Sequence, residues 1–245
     1  MLIYINILYF YTMVEYLEKS TMNCLDCSCK SSLFCRLNNE DLKIIEHNRL
    51  NVVFKPGETI RKQGTQMTHV LSLNSGMAKL YLEGIENRNA ILRIVKPTNF
   101  IGGPGIYLDQ MHHYTVMALI ETSVCFIDLN AIREVIRRNY SFAEEFMKDF
   151  SRNTLNVYNR LIYLTQKQMP GRMADSLLYL FEEIFEADHF PRILTRQDLA
   201  DLSAMSRDSA LKILRSFQHD GIIQFDDKEL RLLDRESLKK ISRIG

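Results

Sequence analysis

Residues 194–234 read LTRQDLADLSAMSRDSALKILRSFQHDGIIQFDDKELRLLD, and this stretch contains the pattern that decides the fold. Thr195 followed by Asp198 has the form of a capping box, which predicts the start of a helix. Leu199 and Leu202 give that helix an apolar side. Residues 203–205 then form a connection of about the length that a helix-turn-helix uses.

A second helix and two strands complete this pattern. Ser206 is suited to cap the helix, and Asp208 lies in its first turn, where the helix dipole favours an acid. Gly221 predicts its end. Two short β-rich runs follow at 222–225 and 230–232, separated by a tight turn. The stretch therefore predicts a winged helix-turn-helix.

The second helix has the chemistry of a DNA reader, because the major groove admits one helix whose first residues contact base edges. Arg207 suits bidentate contact with guanine, and Lys212 can reach a base or a phosphate. Thr195 and Arg196 suit phosphate contacts, which fix position rather than sequence. The candidate DNA-binding residues are Thr195, Arg196, Ser206, Arg207, Asp208 and Lys212.

The charge balance of the last 55 residues is weak support for DNA binding. Residues 191–245 hold 11 Lys and Arg against 9 Asp and Glu. Non-specific affinity for DNA is therefore expected to be modest and salt-sensitive. A helix pair packed in some other all-α domain remains the alternative reading of the pattern.

A long helix is predicted before this segment, because residues 130–169 contain neither Gly nor Pro. Apolar residues recur at near-heptad spacing and Asn153 interrupts them, which is typical of paired helices that fix their register. Ordinary core packing is the alternative. The predicted homodimer seam consists of Phe146, Phe150, Asn153, Val157, Leu161 and Leu164.

The first half of the chain has the texture of β-structure. Seven of the ten glycines lie within residues 57–105, where short apolar runs alternate with turn sequences such as KPGE and SGM. This spacing indicates an antiparallel barrel or sandwich.

Composition excludes several classes of protein. The 245 residues are 46% apolar with a formal net charge of +1, which is typical of a globular protein. No apolar run reaches the roughly 18 to 20 residues of a membrane span, so no membrane partner is expected. Residues 1–22 lack the features of a signal peptide and are expected to be a poorly packed extension, with Met13 and Met22 as alternative starts. Five cysteines without an export signal indicate a reduced, cytoplasmic protein.

These motifs together resemble the Crp/Fnr family of bacterial transcription regulators, and most closely its Bacteroidetes-type branch. The matching stretches are Lys55-Pro56-Gly57-Glu58, Gln63-Gly64, Ser75-Gly76-Met77, Phe100-Ile101-Gly102, Gly171-Arg172-Met173-Ala174, Leu194 to Ala200, and Ser206-Arg207-Asp208. The resemblance covers about residues 31–245. Where the family has Glu and Arg in the second helix, this chain has Asp208 and Lys212, which should alter base preference because Lys lacks the Arg fork.

The resemblance implies an α+β fold with four parts. These are an N-terminal extension with a cysteine cluster (1–30), a cyclic-nucleotide-binding-like jelly-roll β-barrel as sensor (31–139), a dimerisation helix (140–169) and a winged helix-turn-helix (170–245). It also implies a homodimer that reads a palindrome in double-stranded DNA and works with RNA polymerase.

The signal is not predicted to be cyclic AMP. In the family, cyclic-nucleotide binders carry an acid after Phe-Ile-Gly and later an Arg-Ser pair, whereas this chain has Gly103 and then His112-His113-Tyr114. A buried phosphate without an Arg is poorly paired. An unknown small-molecule effector is expected at Gly102, Gly103, His113 and Tyr114, and metal or haem ligation by His112 and His113 is a weaker alternative.

The cysteines leave the cofactor open. Oxygen-sensing members of the family hold an iron–sulfur cluster with N-terminal cysteines and one near the last barrel strand, and thiolates are the ligands such clusters need. This chain offers Cys24, Cys27, Cys29, Cys35 and Cys125, but with different spacing. A cluster on Cys24, Cys27, Cys35 and Cys125, a zinc or thiol switch, and no cofactor all remain possible.

An enzyme is not expected, because no paired carboxylates, nucleophile elbow, zincin motif or phosphate-binding Gly-Lys motif occurs. A barrel enzyme with a helical appendage and a ligand-binding module without DNA contact are the alternatives from other classes.

Overall fold

The computed structural model describes residues 23–27 and 31–245, and it orders them as a sheet domain, a long helix and a C-terminal domain. Helix α1 (Asn39–His47) precedes the strands of the sheet domain, and α2 (Leu129–Arg138) follows them. The strands are β1 (Arg49–Phe54), β2 (Thr59–Arg61), β3 (His69–Ser75), β4 (Ala78–Leu82), β5 (Ala90–Val95), β6 (Phe100–Ile101), β7 (Thr115–Ala118) and β8 (Thr122–Asp128). The predicted α+β class is confirmed.

The eight strands form two four-stranded antiparallel sheets, in the orders β1-β8-β3-β6 and β2-β7-β4-β5. Side chains from both sheets fill one core, including Leu73, Val124, Val95 and Val116. The sheets of the described residues are not joined into a closed barrel, so the jelly-roll domain is a sandwich. A strand with alternating apolar residues can bury its apolar side against a second sheet or inside a closed barrel. The sequence pattern therefore does not distinguish a sandwich from a barrel.

Gly76 makes the tight connection between β3 and β4. Its φ is +88°, and a Cβ at this position would lie 2.3 Å from the carbonyl oxygen of Glu121. Any L side chain would therefore meet both a disfavoured backbone conformation and a backbone clash. This requirement explains the SGM turn that the sequence places after an apolar run.

The long helix α3 (Tyr140–Gln166) has 27 residues and is capped by Asn139, whose side chain accepts from the Phe142 backbone N–H at 2.9 Å. It ends three residues earlier than predicted. Pro170 lies in the first turn of α4 (Met169–Tyr179), where the missing N–H costs no hydrogen bond, so Pro-Gly begins the next helix. Neither α3 nor any other helix in the described residues is long and apolar enough to cross a membrane.

The C-terminal domain has the predicted winged helix-turn-helix layout. A π-helical segment (Leu180–Ile184) directly follows α4 and precedes the strands of this domain. The remaining elements are β9 (His189–Pro191), α5 (Arg196–Leu202), α6 (Arg207–His219), β10 (Ile223–Phe225), β11 (Glu229–Leu232) and α7 (Arg235–Ile244). The three strands form one antiparallel sheet in the order β10-β11-β9.

The C-terminal domain packs against the outer side of the second sheet. Tyr81, Ile91 and Ile94 of that sheet share a buried cluster with Leu199 and Leu202 of α5. Removal of these apolar side chains from water stabilises the contact between the C-terminal domain and the second sheet. The first helix of the helix-turn-helix therefore faces the sheet domain.

One buried histidine of the sheet domain should make stability depend on pH. His112 is only 4% exposed, and burial, aided by the charges of Arg61 and His113, lowers its pKa from 6.5 to about 4. Below pH 6.5 the unfolded chain binds a proton that the folded chain does not, so the free energy of unfolding falls as pH decreases towards 4. At pH 5 this one group should cost about 2 kcal/mol relative to pH 7.

Urea denaturation of the wild type and of His112→Gln at pH 7 and pH 5 measures this contribution. The loss of stability between the two pH values should be about 2 kcal/mol smaller in the variant. An equal loss in both proteins would show that His112 is not the group responsible.

Candidate nucleic-acid interface and sensor cavity

The start of α5 is fixed by the capping box that the sequence predicts. The Asp198 backbone N–H donates to Thr195 Oγ1 at 3.1 Å, and the Thr195 backbone N–H donates to Asp198 Oδ2 at 2.8 Å. The Thr195 hydroxyl also donates to Asp198 Oδ2 at 2.6 Å. Thr195, predicted as a phosphate contact, is thus already engaged as a cap, although its side of the helix is exposed.

Helix α6 is capped and oriented by residues that the sequence identifies. The Ser209 backbone N–H donates to Ser206 Oγ at 3.1 Å. Ala210, Leu214 and Phe217 are buried and fix one side of the helix in the C-terminal core. Gly221, with φ of +69°, follows the helix where a left-handed residue is favoured.

The opposite side of α6 is open to solvent. Ser206, Arg207, Asp208 and Lys212 are exposed at its first turns, and Arg215 continues the same side. A free helix N-terminus adds backbone N–H groups and the positive end of the helix dipole, both of which favour phosphate. The four predicted DNA-reading residues of α6 are therefore all exposed at its N-terminal end.

Arg196, predicted as a phosphate contact, lies beside an acid at the tip of the wing. Its guanidinium lies 3.7 Å from Asp227 Oδ1, and Arg192 donates to the same oxygen at 2.5 Å. Asp227 is 88% exposed and lies in the turn between β10 and β11. The sequence reasoning missed both Arg192 and Asp227, although the Asp226-Asp227 pair in a predicted wing is a visible signal.

Asp227→Asn should tighten binding to DNA, because it releases Arg196 and Arg192 and removes a negative charge from the wing. We expect a gain of roughly threefold to tenfold at low salt, with a log–log salt slope steeper by about one. Fluorescence anisotropy on one duplex across a salt series measures both. Glu236→Gln removes one exposed acid from α7 and is the control; equal changes in the two variants would contradict a role for the wing.

The contact between the domains includes an almost fully buried ion pair. Lys79 of β4 donates to Asp198 Oδ1, and the Asp198 side chain is 4% exposed. The same carboxylate that caps α5 therefore also binds the sheet domain. Nearby, burial raises the pKa of Asp201, whose Oδ1 accepts from Gln197 at 2.7 Å. This arrangement links the position of α5 to the surface of the second sheet.

Helix α3 uses two of the predicted seam residues inside its own chain. Phe146 is 8% exposed and packs edge-on against Phe100, with ring centroids 6.2 Å apart. Asn153 accepts from the Arg93 guanidinium at 3.3 Å. An apolar stripe with a period near 3.5 residues drifts slowly around a straight helix, so it spreads over a broad arc of the helix surface. Phe146 and Asn153, at one edge of that arc, contact the sheet domain.

The remaining arc of α3 is apolar and exposed. Phe150, Val157 and Leu161 are 41%, 56% and 61% exposed, and Leu164 is partly buried. Other apolar residues of α3 are exposed as well, namely Met147, Leu155, Tyr158 and Ile162. Contiguous exposed apolar surface of this kind marks an interaction site, so the four predicted positions stay a prediction for the dimer seam.

A cavity of about 1060 Å³ lies between the sheet domain, α3 and α4. All four predicted effector residues line it, namely Gly102, Gly103, His113 and Tyr114. The sequence reasoning missed Arg93 and Arg160, which also line it. Arg93 donates to the Phe100 carbonyl at 3.2 Å, so its guanidinium is held at the cavity wall.

Tyr114 occupies the space beside the two glycines. Its hydroxyl donates to the Gly102 carbonyl, and a Cβ on Gly103 would lie 2.9 Å from the Tyr114 oxygen. Burial raises the pKa of Tyr114 to about 12, so the hydroxyl stays neutral. His113 bonds instead to Asp109 at 3.1 Å, on a partly exposed loop. His112 points into the protein, and the predicted alternative of a two-histidine ligand set has no support from this placement.

The cysteines do not gather as predicted. Cys24, Cys27 and Cys125 lie close enough to one another and to Arg49 to interact electrostatically, but burial outweighs the charge of Arg49, so it raises the pKa of Cys24 and raises the pKa of Cys125 to about 11. Cys35 is exposed, and Cys29 lies outside the described residues. Within residues 23–27 and 31–245, no group of three or more His, Cys, Asp or Glu side chains could hold a metal ion. The residues present there do not fit an iron–sulfur cluster.

Two family models match the chain and divide it as the fold does. A cyclic nucleotide-binding domain matches residues 51–139, and a Crp-like helix-turn-helix domain matches residues 171–241. The matches lie on either side of α3.

Curated relatives and a solved structure agree with these models. The chain is 24% identical over 221 residues to the transcriptional activator protein FnrA of Stutzerimonas stutzeri, covering 86% of this chain and 89% of that protein. It is 24% identical over 196 residues to the CRP-like cAMP-activated global transcriptional regulator of Mycobacterium tuberculosis, covering 78% and 88%. The structure of FixK2 from Bradyrhizobium japonicum is similar in fold, with a TM-score of 0.72, 17% identity, and coverage of 80% and 98%. These relatives are regulators rather than enzymes, and the Bacteroidetes-type branch stays a prediction.

Proposed function

Because this chain belongs to the Crp/Fnr family of DNA-binding transcription regulators, we propose that α6 is the helix by which it reads DNA. The observation that carries the proposal is the exposed first turn of α6 beside a buried opposite side. Arg207 contacts a base edge, Asp208 and Lys212 adjust the base preference, and Ser206 and the helix N-terminus approach phosphate. Thr195 and Arg196 contact the flanking phosphates once the wing acid is displaced.

Members of this family act as dimers, and we propose that the exposed apolar side of α3 joins the two copies. We also propose that the chain divides functionally into a sensor at 31–139, the dimerisation helix at 140–169 and the DNA-binding domain at 170–245. Two recognition helices related by a twofold axis read half-sites about one helical turn apart, which predicts a palindromic operator. We propose that the protein acts on chromosomal DNA together with RNA polymerase, and therefore in the cytoplasm.

We propose that the cavity beside Gly102 and Gly103 receives a small-molecule effector other than cyclic AMP. Tyr114 fills the space next to the two glycines, and Arg93 is already bonded to Phe100 and Asn153. Arg160, the other arginine of the cavity wall, donates to the Leu202 carbonyl, so a cyclic phosphate would have to displace an existing hydrogen bond to pair with either arginine. A small ligand fits the remaining volume, which is of the size of ordinary ligand pockets.

The test is selection of bound sites from a library of randomised duplexes by the purified full-length protein, with and without cyclic AMP. We expect an enriched two-half-site palindrome with the same sequence and affinity in both conditions. Failure to enrich any sequence would contradict the proposed DNA reading. Enrichment that requires cyclic AMP would contradict the proposed effector class and leave the role of α6 intact.

A further inference from the structure

The cavity between the sheet domain, α3 and α4 has mostly apolar walls. Strand β4 contributes Leu80, and β5 contributes Leu92 and Ile94. Helix α3 contributes Phe146 and Phe150. The apolar atoms of a ligand in this space would leave water and pack against apolar side chains, which favours binding.

Asn153 of α3 bridges two of the charged side chains in these walls. Its amide oxygen accepts from the Arg93 guanidinium at 3.3 Å, and its amide nitrogen donates to Asp149 Oδ2 at 3.0 Å. Arg93 also donates to the Phe100 carbonyl at 3.2 Å. One positive and one negative side chain are therefore held in a single hydrogen-bonded network, so this part of the wall favours neither sign of charge on a ligand.

The two lysines of the walls have carboxylate partners within the chain. Lys167 donates to Asp175 Oδ2 at 2.5 Å, and Lys96 donates to Glu186 Oε1 at 2.9 Å. An ion that leaves water needs a partner of opposite charge to offset its lost hydration. A ligand anion would therefore have to compete with these carboxylates for the ammonium groups.

The polar atoms of Arg160 and Tyr163 are bonded to carbonyls of the C-terminal domain. Arg160 donates to the Leu202 carbonyl, and the Tyr163 hydroxyl donates to the Arg172 carbonyl at 2.5 Å. The Arg160 guanidinium also lies over the Tyr163 ring, 4.4 Å from its centroid. These contacts fix both side chains at the cavity wall in positions that serve the fold.

We propose that this cavity binds an uncharged, mainly apolar small molecule in preference to an anion with the same apolar skeleton. The inference rests on the proposed effector cavity and names the class of ligand that it receives. An uncharged ligand gains from leaving water and leaves the hydrogen bonds of the walls intact. An ionised ligand loses its hydration beside side chains that already have partners.

The experiment titrates the full-length protein with two fluorescent probes that share one aromatic skeleton. N-phenyl-1-naphthylamine is uncharged at neutral pH, and 1-anilinonaphthalene-8-sulfonate is an anion. Both fluoresce strongly only in apolar surroundings, so the emission gives a Kd for each probe. We expect the Kd of the uncharged probe to be at least about tenfold lower, because the sulfonate loses hydration on entering the cavity.

A matched pair of variants locates the bound probe. Leu92→Trp enlarges a side chain of the cavity wall and should raise the Kd of the uncharged probe at least about tenfold. Leu50→Trp makes the same change on β1, where Leu50 is 62% exposed and lies outside the cavity, and should leave that Kd unchanged. Circular dichroism checks that both variants fold, and the comparison of the two probes in wild-type protein needs neither variant.

Two kinds of result would overturn the inference, and they differ in what else they contradict. Equal or tighter binding of the sulfonate, weakened by Leu92→Trp, would refute the uncharged class and leave the proposed effector cavity in place. Failure of both probes to bind, or binding that Leu92→Trp and Leu50→Trp affect equally, would refute the effector cavity as well. In each case the proposed role of α6 in reading DNA would be unaffected.

Discussion

Arg207→Ala should weaken binding to the selected operator by about 1 to 3 kcal/mol, which is roughly 5- to 150-fold in Kd. Arg207 is exposed at the first turn of α6, where side chains reach base edges. Loss of a bidentate contact leaves a guanine edge without its partner. Arg207→Lys should restore only part of the affinity, because an ammonium group cannot make the fork. Fluorescence anisotropy at fixed salt measures these affinities.

The control separates a base contact from the loss of one positive charge. Lys240→Ala removes an exposed cation from α7, on a different element of the same domain. It should weaken binding to operator and to scrambled duplex alike, by a small factor. If Arg207→Ala weakens both duplexes equally and no more than Lys240→Ala does, Arg207 contacts only the phosphate backbone.

The parts of the fold that depend on neighbouring residues could be predicted from the sequence. The Thr195–Asp198 box and the Ser206 cap each need residues three positions apart, so their signals lie within one turn of chain. The exposed face of α6 follows from the same local pattern. These elements carry most of the candidate DNA interface.

Contacts across long sequence separations could not be predicted. The Lys79–Asp198 ion pair joins residues 119 positions apart, and Arg49 interacts electrostatically with Cys125 of β8. A lysine in a strand and an arginine after a helix have the sequence appearance of solvated charges. Only the register of the sheets and the docking of the domains give them partners.

The stripe along α3 shows a third kind of limit. Asn153 in an apolar stripe predicts a polar contact at a seam, and it does make a polar contact, but with Arg93 of its own chain. Periodicity identifies which residues face something apolar or structured, yet it does not say whether that surface belongs to the same chain or to another. The exposures of Val157 and Leu161 show that the rest of the described chain does not cover these two side chains.

Replacing Val157 and Leu161 together with Glu should convert the dimer to monomer. The two side chains are 56% and 61% exposed in the single chain and lie one turn apart on the same side of α3. In a symmetric pair, four apolar side chains would lose their burial and four carboxylates would face one another. We expect the dimer Kd to rise at least about 100-fold, which corresponds to about 3 kcal/mol. Sedimentation equilibrium measures the change.

Loss of the dimer should also weaken binding to the palindrome, because a monomer contacts a single half-site and loses the linked second contact. Both residues are exposed within the chain, so thermal unfolding of each domain should change little. Gln166→Glu places one new charge on an exposed position near the end of α3 and should leave the protein dimeric. A double variant that remains dimeric at micromolar concentration would show that the two copies meet on another surface, and the half-site spacing would then have to be explained from that surface.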